Sequence, residues 1–251
     1  SPMGSRLMRR WLVMPLKEKS LIEERLEIVE YLIKNAELRK SLTHQIHLIG
    51  DLERLISKVP LKRINPREVL QIKKALFALE EIQKELEKTD NLQLKKVAEQ
   101  INCCKIIRER IANELKEDTP WMLNKGGVIS NNVNAELYDL RKITTSGKEY
   151  LLEIQKREIE KTGISSLKIN FNNVFGYFLE VTNAHKNKVP PEWIRKQTLS
   201  NAERYITDEL KSYEEKILGA EEKIISLETK LFEELVLSLH DYIQPIQLNS
   251  S

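Results

Sequence analysis

Apolar side chains recur at steps of three and four along most of this chain, the spacing of a helix with one buried face, and the rhythm breaks at only a few places. Ser20-Leu-Ile-Glu23 has the form of a capping box, and Leu21, Ile22, Leu26, Val29, Leu32 and Ile33 follow at helical spacing, so a helix is predicted to begin near Leu21. Asn65-Pro66 joins an N-cap side chain to a proline preset for the first turn. Val69, Ile72, Leu76, Leu79, Ile82 and Leu86 then place a second helix over 66–88. A third is predicted over 92–116, stopped by Thr119-Pro120 and Asn124-Lys125-Gly126-Gly127.

Two longer helices follow. One is predicted from Asn134 to Lys161, about 40 Å at the helical rise, and closes at Gly163, which is free to turn left-handed. The other starts at Thr207, whose hydroxyl can cap, with Asp208 and Glu209 at the positive end of the dipole. Its Leu210, Tyr213, Ile217, Ala220, Ile224, Leu227 and Leu231 alternate steps of three and four, a heptad seam. Between these helices the period changes to two. Leu167, Ile169 and Phe171 alternate with Lys168 and Asn170, Asn172-Asn173 supplies a turn, and Tyr177, Leu179 and Val181 alternate with Phe178, Glu180 and Thr182, which predicts a hairpin. After a loop over His185–Pro191, further strands are predicted over Trp193–Leu199 and Asn201–Ile206. The expected architecture is mainly α: a helical core with two long antiparallel helices and a small antiparallel β sheet inserted at their tip. The expected divisions are 1–162, 163–207 and 208–251.

Composition changes this picture in one place. The 251 residues include 41 Lys+Arg and 38 Asp+Glu, 41% are hydrophobic, and no run of 18 apolar residues occurs, so neither wholesale disorder nor a membrane-spanning helix is expected. The two cysteines, Cys103 and Cys104, are adjacent and cannot form a disulfide framework, as in a soluble protein of a reducing compartment. A net charge of +3 is small, but 164–204 holds six basic residues against three acidic, while all other positions hold 35 of each sign. Seven of the 15 aromatic residues, Phe171, Phe175, Tyr177, Phe178, Trp193, Tyr205 and Tyr213, lie in or beside that window. A tip of about 45 residues has little volume for a deep pocket and suits contact with a large partner. Basic side chains interleaved with Asn, Gln, Thr and Ser suit a phosphate backbone.

Catalytic patterns do not rise above background. Gly147-Lys148 lacks the upstream glycine and the following Ser/Thr of a phosphate-binding loop and falls in a predicted helix. His44 and His47 share a helix face but would need ligands from elsewhere to hold a metal, and Cys103-Cys104 has no second pair. No metal and no catalytic residue is therefore expected. Phe171, Tyr177, Phe178 and Trp193 are expected to fill the core of a small sheet rather than to stack on bases, and lysines also blunt exposed sheet edges. On composition alone, backbone binding and a purely structural tip stay level.

The residues themselves separate the two. Leu167-Lys-Ile-Asn-Phe-Asn-Asn-Val-Phe-Gly-Tyr-Phe-Leu-Glu-Val-Thr-Asn183, Val189-Pro, Arg195-Lys-Gln-Thr-Leu-Ser-Asn-Ala-Glu-Arg-Tyr205 and Glu209-Leu-Lys-Ser-Tyr-Glu-Glu-Lys-Ile217 closely resemble the clamp region of the bacterial MutS family of DNA mismatch-recognition proteins. Met3-Gly-Ser-Arg-Leu-Met-Arg-Arg-Trp-Leu-Val-Met-Pro-Leu16 is similar to the start of that family's helical core, so the resemblance covers essentially the whole chain.

It implies a non-catalytic fragment of a DNA mismatch repair protein. The family's mismatch-reading and connector domains would precede Ser1, and its ATPase domain, with ATP and magnesium, would follow Ser251, leaving no cofactor here. The family's Phe-x-Glu wedge is spelled by Phe178-Leu179-Glu180, which lies in the clamp hairpin and is read as coincidence. The implied partners are double-stranded DNA, mismatched in the full-length context, a second copy in a homodimer, and a MutL-type protein; the implied location is cytoplasmic and nucleoid-associated. The resemblance implies a clamp that touches the DNA backbone without reading sequence, and levers that relay nucleotide state. Carried over by position, the DNA-contact candidates are Lys168, Asn172, Asn173, Lys186, Lys188, Arg195, Lys196, Ser200, Asn201 and Arg204; some family members have lysine where this chain has Ser200. The alternative is a helical protein-interaction module whose Leu210–Leu231 seam pairs with a partner helix and would leave an exposed apolar stripe.

Overall fold

Helical spacing along the chain becomes, in the computed structural model, which describes residues 1–172, 174 and 176–249, the helices α1 (Pro2–Val13), α2 (Lys19–Lys34), α3 (Ala36–Ile49), α4 (Leu52–Ile56), α5 (Pro66–Glu87), α6 (Leu92–Gln100), α7 (Lys105–Glu114), α8 (Ala135–Thr162), α9 (Asp208–Ser238) and α10 (Ile243–Leu248). Between α8 and α9 come β1 (Lys168–Asn172), β2 (Gly176–Thr182), a 3-10 helix (Asn183–Lys188), β3 (Ile194–Thr198) and β4 (Ala202–Ile206). The fold is thus mainly α with a small antiparallel sheet. The residues group into two units, Ser1–Val133 with Glu228–Ser251, and Asn134–Leu227.

The first unit is built around α5. Asn65 accepts the Glu68 N–H and Glu68 accepts the Asn65 N–H, the capping box that starts it, and its Val69, Ile72, Ala75, Leu76, Leu79 and Leu86 are buried. Helices α3, α6 and α7 pack on it, with Leu52 and Ile56 of α4 fully buried nearby. Ion pairs cover the helix flanks: Arg108 reaches Glu80 at 2.5 Å and Glu109 at 2.8 Å, and its guanidinium lies 4.2 Å from the centre of the Phe77 ring. Glu228, fully buried on α9, accepts the Gly127 N–H at 3.1 Å and the Val128 N–H at 2.7 Å.

Two expectations are corrected in this unit. Helix α2 starts at Lys19, and Ser20 caps nothing; Glu18 is the N-cap, and the Lys19–Glu23 pair at 3.4 Å favours the earlier start. The apolar face of α2 does not join the core, since Leu26, Val29 and Ile33 are exposed. The helix expected over 92–116 is two helices, because Asn102 accepts the Cys104 N–H and Cys104 turns left-handed at φ 43°. Asn249 fixes the break, accepting the Asn102 N–H at 2.9 Å and donating Nδ2 to the Asn102 carbonyl at 2.6 Å. No periodicity near residue 102 could reveal a partner at residue 249.

In the second unit Asn134 accepts the Leu137 N–H to start α8, and Gly163 closes it in the left-handed region at φ 65°. Helices α8 and α9 run antiparallel here. Tyr150 and Tyr213 stack with ring centroids 3.9 Å apart, and Gly147 lies so near α9 that a Cβ there would fall 2.6 Å from Ile217 Cγ1. The seam residues Leu210 and Ile217 are buried in one cluster with Leu151 and Ile154 of α8. The heptad therefore pairs within the chain and leaves no exposed stripe at those positions. Past Ile224 the buried row moves from the predicted Leu227 and Leu231 to Glu228, Phe232 and Leu235, so the seam does not continue to Leu231 as expected.

Glu209, in the first turn of α9, ties the pair together. It accepts from Arg157 and from the Tyr150 hydroxyl, both at 2.5 Å, and these contacts, Arg157 first, hold its carboxyl below the ordinary value of 4.5. A carboxyl with a depressed folded value stabilises fully above its unfolded value and loses that contribution as pH falls through the folded one. Acid unfolding of Glu209→Gln followed by circular dichroism is accordingly expected to be shallower below about pH 4.5 than that of the unaltered chain.

Candidate nucleic-acid interface

The tip is a four-stranded antiparallel sheet in the order β1-β2-β4-β3. Strand alternation gives it two unlike faces. Ile169, Leu179, Val181 and Tyr205 point to one side, where they meet Trp193, Ile164, Leu167 and the helix residues Leu151, Ile154 and Leu210. Trp193 and Tyr205 are buried with centroids 5.9 Å apart, so their rings are core and cannot receive bases. Phe171 is the exception among the aromatics expected inside, 46% exposed while leaning on Tyr177 at 5.0 Å. Phe175 lies outside the described residues.

The opposite face carries Lys168, Glu180, Arg204 and Gln197 in a row across the strands. Phe178, beneath Arg204 on this face, is 2% exposed. Between Arg195 and Gln197 the β3–β4 register shifts, so that Arg195 faces Tyr205, Gln197 faces Arg204, and Lys196 has no partner opposite it. A bulge of this kind re-aims its extra side chain out of the ladder.

The candidate residues fall in two places. Lys168 and Asn172 lie on β1, at one edge, and Asn172 accepts the Val174 N–H at 2.7 Å to turn the hairpin. Asn173 lies outside the described residues. Arg195 and Lys196 lie on β3, at the other edge, about 14 Å away across three strand spacings. Exposed Ser200 and Asn201 form the turn beside them. Asn183, which sequence reasoning passed over, holds that turn: its N–H reaches the Asn201 carbonyl at 3.1 Å and its Nδ2 the Ser200 carbonyl at 2.9 Å. Residues 183–188, expected as loop from 185 on, continue from it as the 3-10 helix, which displays Lys186 and Lys188 to solvent. Lys188 Nζ lies 3.5 Å from the Gly163 carbonyl at the C-terminus of α8.

Two arginines are tied into the sheet. Arg204 is largely covered, whereas Arg195 keeps 61% of its side chain exposed and only touches Glu203 at 3.4 Å. Glu203 is itself buried and accepts a short hydrogen bond from the Tyr205 hydroxyl. That bond, aided by Arg195 and Lys186, lowers the Glu203 carboxyl, while burial and then Glu203 push Tyr205 up to about 12. Glu192 pairs with Lys161 at 2.8 Å. All three acids of the tip thus have basic or hydroxyl partners within the unit.

Backbone donors at the sheet margins are capped from the helices. Gln155 accepts the Ile169 N–H at 3.2 Å, and Glu214 accepts the Tyr177 N–H at 2.9 Å. The second contact requires Gly176, whose φ is 74° and where a methyl group would fall 1.9 Å from Glu214 Oε1. Gly176→Ala is expected to destabilise the second unit by about 1–3 kcal/mol in urea unfolding, through both the left-handed backbone and the displaced carboxylate. Neither pair has a local sequence signal.

Charge is segregated along the unit. The flanking segments 134–163 and 205–227 carry nine basic and twelve acidic residues, against six and three in 164–204. The tip is thus the net positive part of this unit and the helical segments its net negative part. Among the described residues no group of three or more His, Cys, Asp or Glu is placed to hold a metal. Gly147 and Lys148 lie within α8, whose backbone N–H groups are engaged by the helix, and Lys148 pairs with Glu221 at 3.6 Å. The geometry fits no nucleotide phosphate there.

Comparison with known proteins covers the segment that holds the tip. A family described as MutS family domain IV matches residues 132–223. The DNA mismatch repair protein MutS of Phocaeicola vulgatus is 57% identical over 251 residues, covering all of this chain and 29% of that protein. Those of Bacteroides thetaiotaomicron and Parabacteroides distasonis are 57% and 58% identical over the same span. The chain spans about three-tenths of the length of these curated relatives.

Proposed function

This chain belongs to the MutS family, and on that premise we propose that its β tip is a clamp that holds the backbone of double-stranded DNA, without reading sequence, in mismatch repair. Residues 163–207 are the clamp, 1–162 the helical core and outgoing lever, and 208–251 the returning lever. The observation that carries this reading is the segregation of charge: exposed Lys168, Lys186, Lys188, Arg195 and Lys196 surround a sheet whose one face is closed by core and whose flanking helices are acidic. Side chains of this kind, on two edges about 14 Å apart, can meet phosphates but present no helix to a major groove. Ser200 and Asn201 add hydrogen-bond donors, and Arg204 shapes the sheet.

For the longer protein the same reading includes an ATPase domain using ATP and magnesium, assembly as a homodimer, a MutL-type partner, and a cytoplasmic, nucleoid-associated location. This fragment is read as non-catalytic. The long helix α9 holds residues of both units and is read as the lever that relays nucleotide state. Among the described residues no helix is long and apolar enough to cross a membrane.

A salt series tests the reading. With about 3–5 phosphate contacts, log affinity for a duplex of any sequence is expected to fall with log salt at a slope of about −2.7 to −4.5. Absence of binding at low salt, or a strong sequence preference, would overturn it.

A further inference from the structure

Glu180 occupies the middle of the sheet face that is not committed to the apolar core. The register sets it opposite Lys168 on β1 and opposite Arg204 on β4. Arg204 Nε donates to Glu180 Oε2 at 3.3 Å, Nη1 donates to Gln197 Oε1 at 2.8 Å, and the guanidinium lies 4.4 Å from the centre of the Phe178 ring. The Arg204 side chain is 20% exposed and that of Glu180 29%. One half-exposed carboxylate thus stands between two cations. The other acids of the tip lie elsewhere, Glu192 against Lys161 and Glu203 against Tyr205 and Arg195.

We propose that Glu180 is the residue that limits how tightly the clamp sheet holds a duplex. Its charge keeps Arg204 down on Phe178 and offsets part of the positive field that Lys168 and Arg204 would otherwise present to a chain of phosphates. The consequence is a short residence time, since changes at one interface act mostly on the dissociation rate. A surface that must close on DNA and let it go is served by a contact weaker than its count of basic residues would allow. This rests on the DNA-backbone function proposed above and adds a residue that opposes it.

Glu180→Gln keeps the size of the side chain and an acceptor for Arg204 while removing the charge. In duplex titrations of the 251-residue chain between about 50 and 200 mM salt, this variant is expected to bind about two- to fivefold more tightly, with a log–log slope steeper by up to about 0.9 as one more phosphate is engaged. Adding Arg204→Gln is expected to remove the gain. Glu149→Gln makes the same change in charge at an exposed site on α8, about 21 Å of helix from Gly163, and is expected to leave the slope unchanged. Matching circular dichroism spectra and melting curves establish that the variants are folded. Unaltered affinity and slope in Glu180→Gln, or an equal gain in Glu149→Gln, overturn this inference alone if substituting the tip's lysines still weakens binding. If those lysine variants bind like the unaltered chain, the clamp reading falls with it.

Discussion

Replacing Lys186, Lys188, Arg195 and Lys196 together by alanine is expected to weaken duplex binding on the order of 10²–10³-fold near 0.1 M salt. Each lost phosphate contact removes about 0.9 from the magnitude of the salt slope, which at that concentration is worth close to a factor of ten. The loss should be the same on unrelated duplex sequences, because contacts to phosphate position a protein without carrying base information. All four side chains are exposed, and the contacts they give up within the chain are long: 3.5 Å from Lys188 to the Gly163 carbonyl and 3.4 Å from Arg195 to Glu203. Arg195 and Lys186 also favour the charged form of buried Glu203, so some stability is lost with them, and the melting curve separates loss of contact from loss of fold. A variant that keeps its affinity within threefold would show that the β3 side of the tip is not where DNA is held.

The largest stability effect is expected at Glu228. Truncation to alanine strands the Gly127 and Val128 N–H groups in the interior, each costing about 1–3 kcal/mol, for roughly 2–6 kcal/mol in total. At about 2–4 °C per kcal/mol for a chain of this size, the melting temperature should drop by several degrees or more. Amide exchange at Gly127 and Val128 gives the local readout and should accelerate well beyond that of the α5 core. Glu228→Gln retains one acceptor for the two donors and should fall between the two. An unchanged exchange rate at both amides in Glu228→Ala would mean that the loop 126–128 is held by other contacts.

Glu228 also marks how far a linear reading carries. It appears in the sequence as one of many charged residues on a long helix, adjacent to the predicted seam position Leu227, and only the bend of the loop at Gly126 and Gly127 turns it into a buried anchor about a hundred residues from its partners. Helices α5, α8 and α9 were legible because their signals are local: Asn65-Pro66 with Glu68, Asn134 with Gly163, and Thr207, which accepts the Leu210 N–H at 3.1 Å. The hairpin and the third and fourth strands were legible for the same reason. Ser20-Leu-Ile-Glu23 has an equally good local pattern and caps nothing, since the backbone before it already enters the helix at Lys19. The candidate contact residues were legible as a group, but as a single stretch; the strand order β1-β2-β4-β3 divides them between two edges.

Sequence alone determined the succession of helices, the change of period after Gly163, the local excess of positive charge and the resemblance of the clamp segment, because each depends on residues within a few turns of one another. Tertiary structure alone decided that Arg204 is held on Phe178 by Glu180, that Lys196 stands out at a bulge, that Gly176 makes room for Glu214, and that Asn249 breaks the helix at Asn102. These are pairings across strands or between distant segments. Hydrogen bonding and packing reward them only once the chain is closed, so no pattern of neighbours along the sequence encodes them.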